Sequence, residues 1–225
     1  MSSLIYLLSP TAKEGLNHLP VLTFKTLVST INFDFINILL FTSKQAVITT
    51  NSISDEWKQF PCIAIGKSTT KTIEDLGGKV IYMPKSNYGE DIAKDLLTYF
   101  YDKRIFYLRP KKTAFDINVY IEEHKSNNGH EEVLFFEEII YETDCLSYKR
   151  DQKPIENAII IFTSPSSIKC FFKSFDWNES YTAIIIGKTT KKYLPKNCSY
   201  LVADEPSIDA CIAKALHLEE ERYLL

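Results

Sequence analysis

The sequence predicts an α/β protein built from two related, doubly wound parallel-sheet domains, and three matched segments predict it. Phe41-Thr42-Ser43 recurs as Phe162-Thr163-Ser164, and Ile65-Gly66-Lys67 recurs as Ile186-Gly187-Lys188, both 121 positions on. Ile92-Ala93-Lys94-Asp95-Leu96 recurs as Ile212-Ala213-Lys214-Ala215-Leu216 at an offset of 120. Matches in one order at a nearly constant offset mark a structural unit present twice.

Each copy begins with an apolar run, Ile38-Leu39-Leu40-Phe41 or Ile159-Ile160-Ile161-Phe162. Short runs of this kind, without polar alternation, read as strands covered on both faces. Ser43 and Ser164 then suit the cap of a following helix, and Pro165 its first position. A second apolar run, Cys62-Ile63-Ala64-Ile65 or Ile184-Ile185-Ile186, ends at Gly66 or Gly187 before Lys-Ser-Thr-Thr or Lys-Thr-Thr. Glycine allows a tight turn there, and the hydroxyls are expected to satisfy the first helical N–H groups. Gly77-Gly78 supplies a stop for the first of these helices. Strand alternating with helix argues for an open parallel sheet with right-handed crossovers.

The first copy runs on into Ile105-Phe106-Tyr107-Leu108-Arg109-Pro110, a further strand whose counterpart in the second copy would fall just past Leu225. Ile5-Tyr6-Leu7-Leu8-Ser9-Pro10 has the same strand-then-proline pattern, so the amino end is expected to complete the second sheet. One domain is then discontinuous, residues 1–20 with 144–225, and the other, residues 25–137, is inserted into it. The segments 21–24 and 138–143, both extended in character, are expected to pair as a two-stranded β-ladder joining the domains. A flavodoxin-like strand order is expected in each sheet.

Composition narrows the function classes. With 225 residues, 45% of them hydrophobic, each domain has enough chain to bury a core. No apolar stretch approaches the roughly 20 residues of a membrane helix, and the amino end lacks a basic-then-apolar leader. A soluble cytoplasmic protein with no membrane partner is expected, as a monomer. The five cysteines, Cys62, Cys145, Cys170, Cys198 and Cys211, show no CxxC pairing and read as reduced thiols. His18, His124, His130 and His217 are scattered without ligand spacing, so no metal is implied. The net charge of −3 and the lack of a basic stripe argue against nucleic acid. GxGxxG, GxxxxGK[ST] and GxSxG are all missing, which leaves nucleotide binding and serine hydrolysis without support.

Ligands of open α/β sheets bind beyond the carboxyl ends of the strands and, in two-domain proteins, in the cleft between domains. The residues expected there are Thr42, Ser43 and Lys44; Gly66, Lys67, Ser68 and Thr69; Arg109; Thr163, Ser164 and Ser166; and Gly187, Lys188, Thr189 and Thr190. Hydroxyls, glycines, cations and helix N-termini suit an anionic ligand. Plain helix capping and solvated turn lysines are the ordinary alternative, and the recurrence of the set in both copies is what favours a site.

These residues resemble the uroporphyrinogen-III synthase family. The likeness lies in LFTSKQAV from Leu40 to Val47, the FTSPSS segment from Phe162 to Ser167, and the A-I-G-x-x-T elements from Ala64 to Thr69 and from Ile185 to Thr190, the latter with Ile in place of Ala. It extends to Tyr141 at the second interdomain crossing and to Ala203-Asp204-Glu205-Pro206-Ser207 before the last amphipathic helix. The chain departs from the family where its amino-terminal strand ends in Leu8-Ser9-Pro10, since Thr-Arg-Pro is frequent there.

The resemblance implies closure of linear hydroxymethylbilane to uroporphyrinogen III, with inversion of ring D and loss of water, in tetrapyrrole biosynthesis. It implies no cofactor. Departure of the hydroxyl leaves an electrophilic azafulvene, and a spiro intermediate then fragments and recloses. The enzyme must choose which carbon attacks, chiefly by holding one folded conformer. Tyr141 is the family-based candidate to assist departure of water, and Thr190 the second catalytic candidate. A noncatalytic two-domain small-ligand-binding or sensor protein is the alternative of a different class.

Overall fold

The computed structural model describes residues 3–86, 88–124 and 133–223, and His130 lies outside them. The strands are β1 (Ile5–Leu7), β2 (Asn17–His18), β3 (Leu22–Thr26), β4 (Ile38–Phe41), β5 (Pro61–Ala64), β6 (Lys79–Tyr82), β7 (Arg104–Pro110), β8 (Leu134–Cys145), β9 (Ile159–Phe162), β10 (Thr182–Ile185) and β11 (Tyr200–Val202). The helices are α1 (Lys44–Ile53), α2 (Lys67–Asp75), α3 (Gly89–Tyr99), α4 (Ile117–His124), α5 (Pro165–Ser174), α6 (Lys188–Lys191) and α7 (Ile208–Tyr223). Two compact units result, one from Met1–Thr23 with Asp144–Leu225, the other from Phe24–Thr143.

The inserted unit orders its sheet β3-β8-β7-β4-β5-β6. From β8 to β6 every pairing is parallel. The alternation of side chains across each strand sorts them between two layers. Leu39, Phe41, Phe106 and Leu108 pack with Val47 of α1 and Ile73 of α2, while Leu40, Ile63, Ile105 and Tyr107 face Ile92 and Leu96 of α3 and Ile121 of α4. All four residues of β4 are buried, as its unbroken apolar run predicts. Each such Leu or Ile contributes about 1.5–3 kcal/mol on burial, against about 0.3–0.5 kcal/mol for an exposed helix pair such as Lys71–Asp75. Apolar burial therefore decides the fold.

The discontinuous unit orders its strands β11-β10-β9-β1-β2, again all parallel. Ile5, Leu7, Ile159, Ile161 and Ile184 meet Cys211 and Ala215 of α7 on one face. Beneath α5, Phe162 meets Phe171 edge-on at 5.5 Å. Numbered along the chain this sheet reads 2-1-3-4-5, the flavodoxin-like order. The parallel part of the inserted sheet reads 3-2-1-4-5. Counted instead from the strand that ends in Phe-Thr-Ser, both read 3-2-1-4-5, so one unit is a circular permutation of the other. The register carries this to single residues, because Leu40 lies opposite Tyr107 and its repeat mate Ile161 lies opposite Leu7.

The chain passes between the units inside β3 and β8, which are neighbours in the six-stranded sheet. They run antiparallel: the Leu27 N–H donates to the Ile140 carbonyl and the Leu146 N–H to the Val21 carbonyl, at 2.9 and 3.0 Å.

The cysteine expectation needs correction. Cys145, the last residue of β8, is disulfide-bonded to Cys170 of α5, 25 positions away. Only packing of that helix beside the strand end brings the two together, and no spacing motif announces it. Cys62, Cys198 and Cys211 are free and buried. Burial pushes their thiols up, to about 12 for Cys62 and about 11 for the other two, which makes them inert. Among the described residues no helix is long and apolar enough to cross a membrane.

Candidate active site

In the inserted unit β4 hands over to α1 through Thr42-Ser43. Ser43 is the helix cap, and its Oγ accepts from the Ala46 N–H at 3.2 Å. The same oxygen lies 2.9 Å from the Tyr141 hydroxyl. Tyr141 is 4% exposed, and its ring meets Phe24 edge-on. Burial raises the Tyr141 phenol above its ordinary value, and the Ser43 bond draws it part of the way back. Thr42 is engaged from another strand, its Oγ1 lying 2.9 Å from the hydroxyl of Tyr107 on β7. Tyr107 is 2% exposed, and burial pushes its phenol up to about 12 against the pull of Thr42 and Arg109. Two protonated phenols thus hold two consecutive hydroxyl residues at the strand end.

The glycine turns differ from expectation in detail. Gly66 sits at φ +82°, a conformation that glycine alone adopts freely, whereas Gly187 at φ 175° is ordinary extended backbone. Both turns nevertheless bond alike, with Thr69 and Thr190 donating their N–H to the Gly66 and Gly187 carbonyls at 3.1 and 3.0 Å. No side chain caps α2 or α6. The hydroxyls after the glycines therefore do not take the capping role expected of them, and Thr72, further along α2, donates back to the Ser68 carbonyl. At α2 the free N–H groups stand at a helix of nine residues, but α6 is a single turn with little dipole. Thr69 and Thr190 are buried, and Lys67, Ser68, Lys188 and Thr189 are exposed.

At the start of α5, Ser164 accepts from the Ser167 N–H at 3.1 Å and donates its own N–H to the Ser167 Oγ at 3.2 Å. Thr163 and Ser164 are half-buried and Ser166 is exposed. Pro165 takes the first helical position, as its lack of an N–H favours.

The expected cations are not equivalent. Arg109 donates through its Nη2 to Glu137 Oε1 at 2.6 Å and through its Nη1 to the Pro110 carbonyl at 3.2 Å. Its side chain is only 16% exposed, so its charge is neutralised within the sheet. Lys44, Lys67 and Lys188 carry no such ion pair among the described residues. The structure thus joins Thr42, Ser43, Tyr107 and Tyr141 directly, with Arg109 beside Tyr107. Among the described residues no cluster of His, Cys, Asp or Glu could hold a metal.

Tyr107 and Glu137 are absent from the sequence-derived set. A tyrosine inside a strand covered on both faces needs a partner for its hydroxyl, and that requirement was the available signal. Glu137 gave none, because its pairing with Arg109 depends on the register between β7 and β8.

Comparison with known proteins agrees over nearly the whole chain. Residues 16–213 match the family model described as uroporphyrinogen-III synthase HemD. The crystal structure of uroporphyrinogen-III synthetase from Helicobacter pylori is similar with a TM-score of 0.75 and 27% identity, covering 95% of this chain and 98% of that one. A mutant uroporphyrinogen III synthase from Thermus thermophilus shares the fold at 10% identity and a TM-score of 0.54, covering 97% and 98%. Among curated protein sequences none matches. With the family model spanning most of its length, the chain belongs to the uroporphyrinogen-III synthase family.

Proposed function

We propose that the hydroxyls at the carboxyl edge of the inserted sheet are what this enzyme uses to close hydroxymethylbilane to uroporphyrinogen III. The family's reaction breaks the C–O bond of the terminal hydroxymethyl group, and the leaving oxygen departs as water with a proton balanced by the one the terminal pyrrole N–H loses as the azafulvene forms. In our reading Ser43 gives a hydrogen bond to that oxygen while Tyr141 gives one to Ser43. The raised Tyr141 phenol opposes full transfer of its proton, so its part is to donate and polarise. The observation that carries this reading is the 2.9 Å contact between Tyr141 and the serine that caps α1.

Carboxylates of the substrate suit the N–H groups of Lys67 and Ser68 at the uncapped start of α2, and within the discontinuous unit the hydroxyls of Thr163, Ser164, Ser166, Thr189 and Thr190 are donors of the same kind. Lys44, Lys67 and Lys188 add attraction on approach. Arg109 serves by holding shape through Glu137. We assign no cofactor and no nucleic acid, and we infer a monomer acting in the cytoplasm. The sensor alternative has no comparable support, since the family match covers residues 16–213.

The test is product analysis of chelator-treated protein with hydroxymethylbilane and no other addition. Type III product is expected, and exclusive type I product from folded protein rejects the activity. Tyr141→Phe keeps the ring and is expected to lose roughly tenfold or more in kcat. Unchanged turnover in that variant rejects the role of Tyr141 alone.

A further inference from the structure

Tyr107 is not needed to cap a helix, and a phenylalanine would fill the same space among Leu40, Ile105 and Ile63. Its hydroxyl nevertheless lies 2.9 Å from Thr42 Oγ1 at the edge assigned above to the substrate. The phenol is the more acidic of the two hydroxyls and therefore the better donor. When Tyr107 donates, the Thr42 oxygen is held in place and the Thr42 proton is left for another acceptor. The repeat supplies an internal control. Leu7 occupies the matching register position in the discontinuous unit, where no hydroxyl reaches Thr163 from β1. The fold itself therefore does not require a hydroxyl at this place.

We propose that Tyr107 is a positioning residue for ring closure: its buried phenol fixes Thr42 Oγ1 so that the Thr42 hydroxyl donates to the bound tetrapyrrole. The proposal rests on the assignment of the Thr42-Ser43 edge to substrate. Glu137 supports the arrangement by tying up Arg109, which would otherwise compete for the polar groups around the phenol.

The experiment is a double-mutant cycle on kcat and KM with Tyr107→Phe, Thr42→Val and the double variant, with unfolding midpoints measured alongside. Tyr107→Phe keeps the ring, so the protein is expected to fold. Loss of one neutral hydrogen bond corresponds to a fall of about three- to tenfold in kcat, with KM within about twofold. Because Tyr107 acts through Thr42, the double variant is expected to be no slower than Thr42→Val alone. A purely structural role would instead multiply the two kinetic losses, whatever the variants do to the unfolding midpoint. Multiplied losses, or wild-type kcat in Tyr107→Phe, overturn the proposal while leaving the Thr42 assignment standing. Wild-type kinetics in Thr42→Val overturns both.

Discussion

The strand ends Phe41-Thr42-Ser43 and Phe162-Thr163-Ser164 are identical in sequence, cap a helix in the same way, and are secured by different means. Ser164 is satisfied within its own helix by Ser167. Ser43 and Thr42 are tied by Tyr141 and Tyr107 from two other strands. One step further along the same edge, Arg109 binds Glu137, and at the matching positions His18 Nε2 lies 2.9 Å from the Ser9 carbonyl. A short motif can therefore dictate local backbone while its neighbours decide whether its hydroxyls are held from outside. The inserted unit has the braced edge, and the discontinuous unit has the self-contained one.

Exchanging the register mates Tyr107 and Leu7 is the most disruptive way to break this contrast. Leu7→Tyr forces a phenol into a filled layer with no partner, and a loss of about 2–4 kcal/mol is expected from overpacking and the unmet hydroxyl. Tyr107→Leu removes ring volume and the Thr42 bond, for about 2–3 kcal/mol. Chemical denaturation checks both. If Leu7→Tyr costs less than about 0.5 kcal/mol, the two edges are interchangeable and the contrast fails.

Alkaline titration sharpens it. The Tyr107 phenol is raised from an ordinary value near 10 to about 12. Below the lower value the group is protonated in folded and unfolded chains alike, and its contribution is fully present. Between the two values the unfolded chain releases the proton and the folded one keeps it, so stability falls as pH rises. The loss is on the order of 3 kcal/mol across that window. Tyr107→Phe is expected to flatten this part of the stability profile. An equally steep profile in the variant assigns the loss to other groups.

Removing the two caps gives the smallest difference. Ser164→Ala is expected to cost about 1 kcal/mol as a lost cap. Ser43→Ala loses the same bond and also leaves the buried Tyr141 hydroxyl without its partner, adding about 1 kcal/mol. Thermal unfolding of the two variants measures the gap, and equal midpoints would mean that Tyr141 finds another acceptor.

The legible parts of the sequence were those determined locally. β4 and β9 are unbroken apolar runs, and Ser43, Ser164 and Pro165 sit in positions their chemistry favours. The strands that escaped notice are β2, β6 and β11, all at sheet edges, two to four residues long and partly exposed, so neither length nor apolar pattern marks them. Thr42, Ser43 and Tyr141 could be named from the repeat and the family resemblance. Tyr107 could not, because its role depends on which residue of β7 lies beside β4. From the sequence alone Arg109 is one of four cations at the strand ends, because its partner Glu137 comes from β8 and only strand register brings them together. The Cys145–Cys170 bond likewise exists only through tertiary packing.

The interrupted layout of the discontinuous unit has a consequence for the order of events on the ribosome. Ile5 pairs with Ile159, so β1 cannot enter its sheet until the whole inserted unit has been synthesised. The inserted unit, whose parallel sheet is complete by Cys145, can fold first, because a domain folds as a unit once its chain is available. Meanwhile Ile5-Tyr6-Leu7-Leu8 is an exposed apolar strand held near a growing parallel sheet of the same design. β1 is thus a segment that must be protected while the inserted unit is made, and α7, which follows that unit in the chain, supplies the Cys211 and Ala215 that cover it and end its exposure.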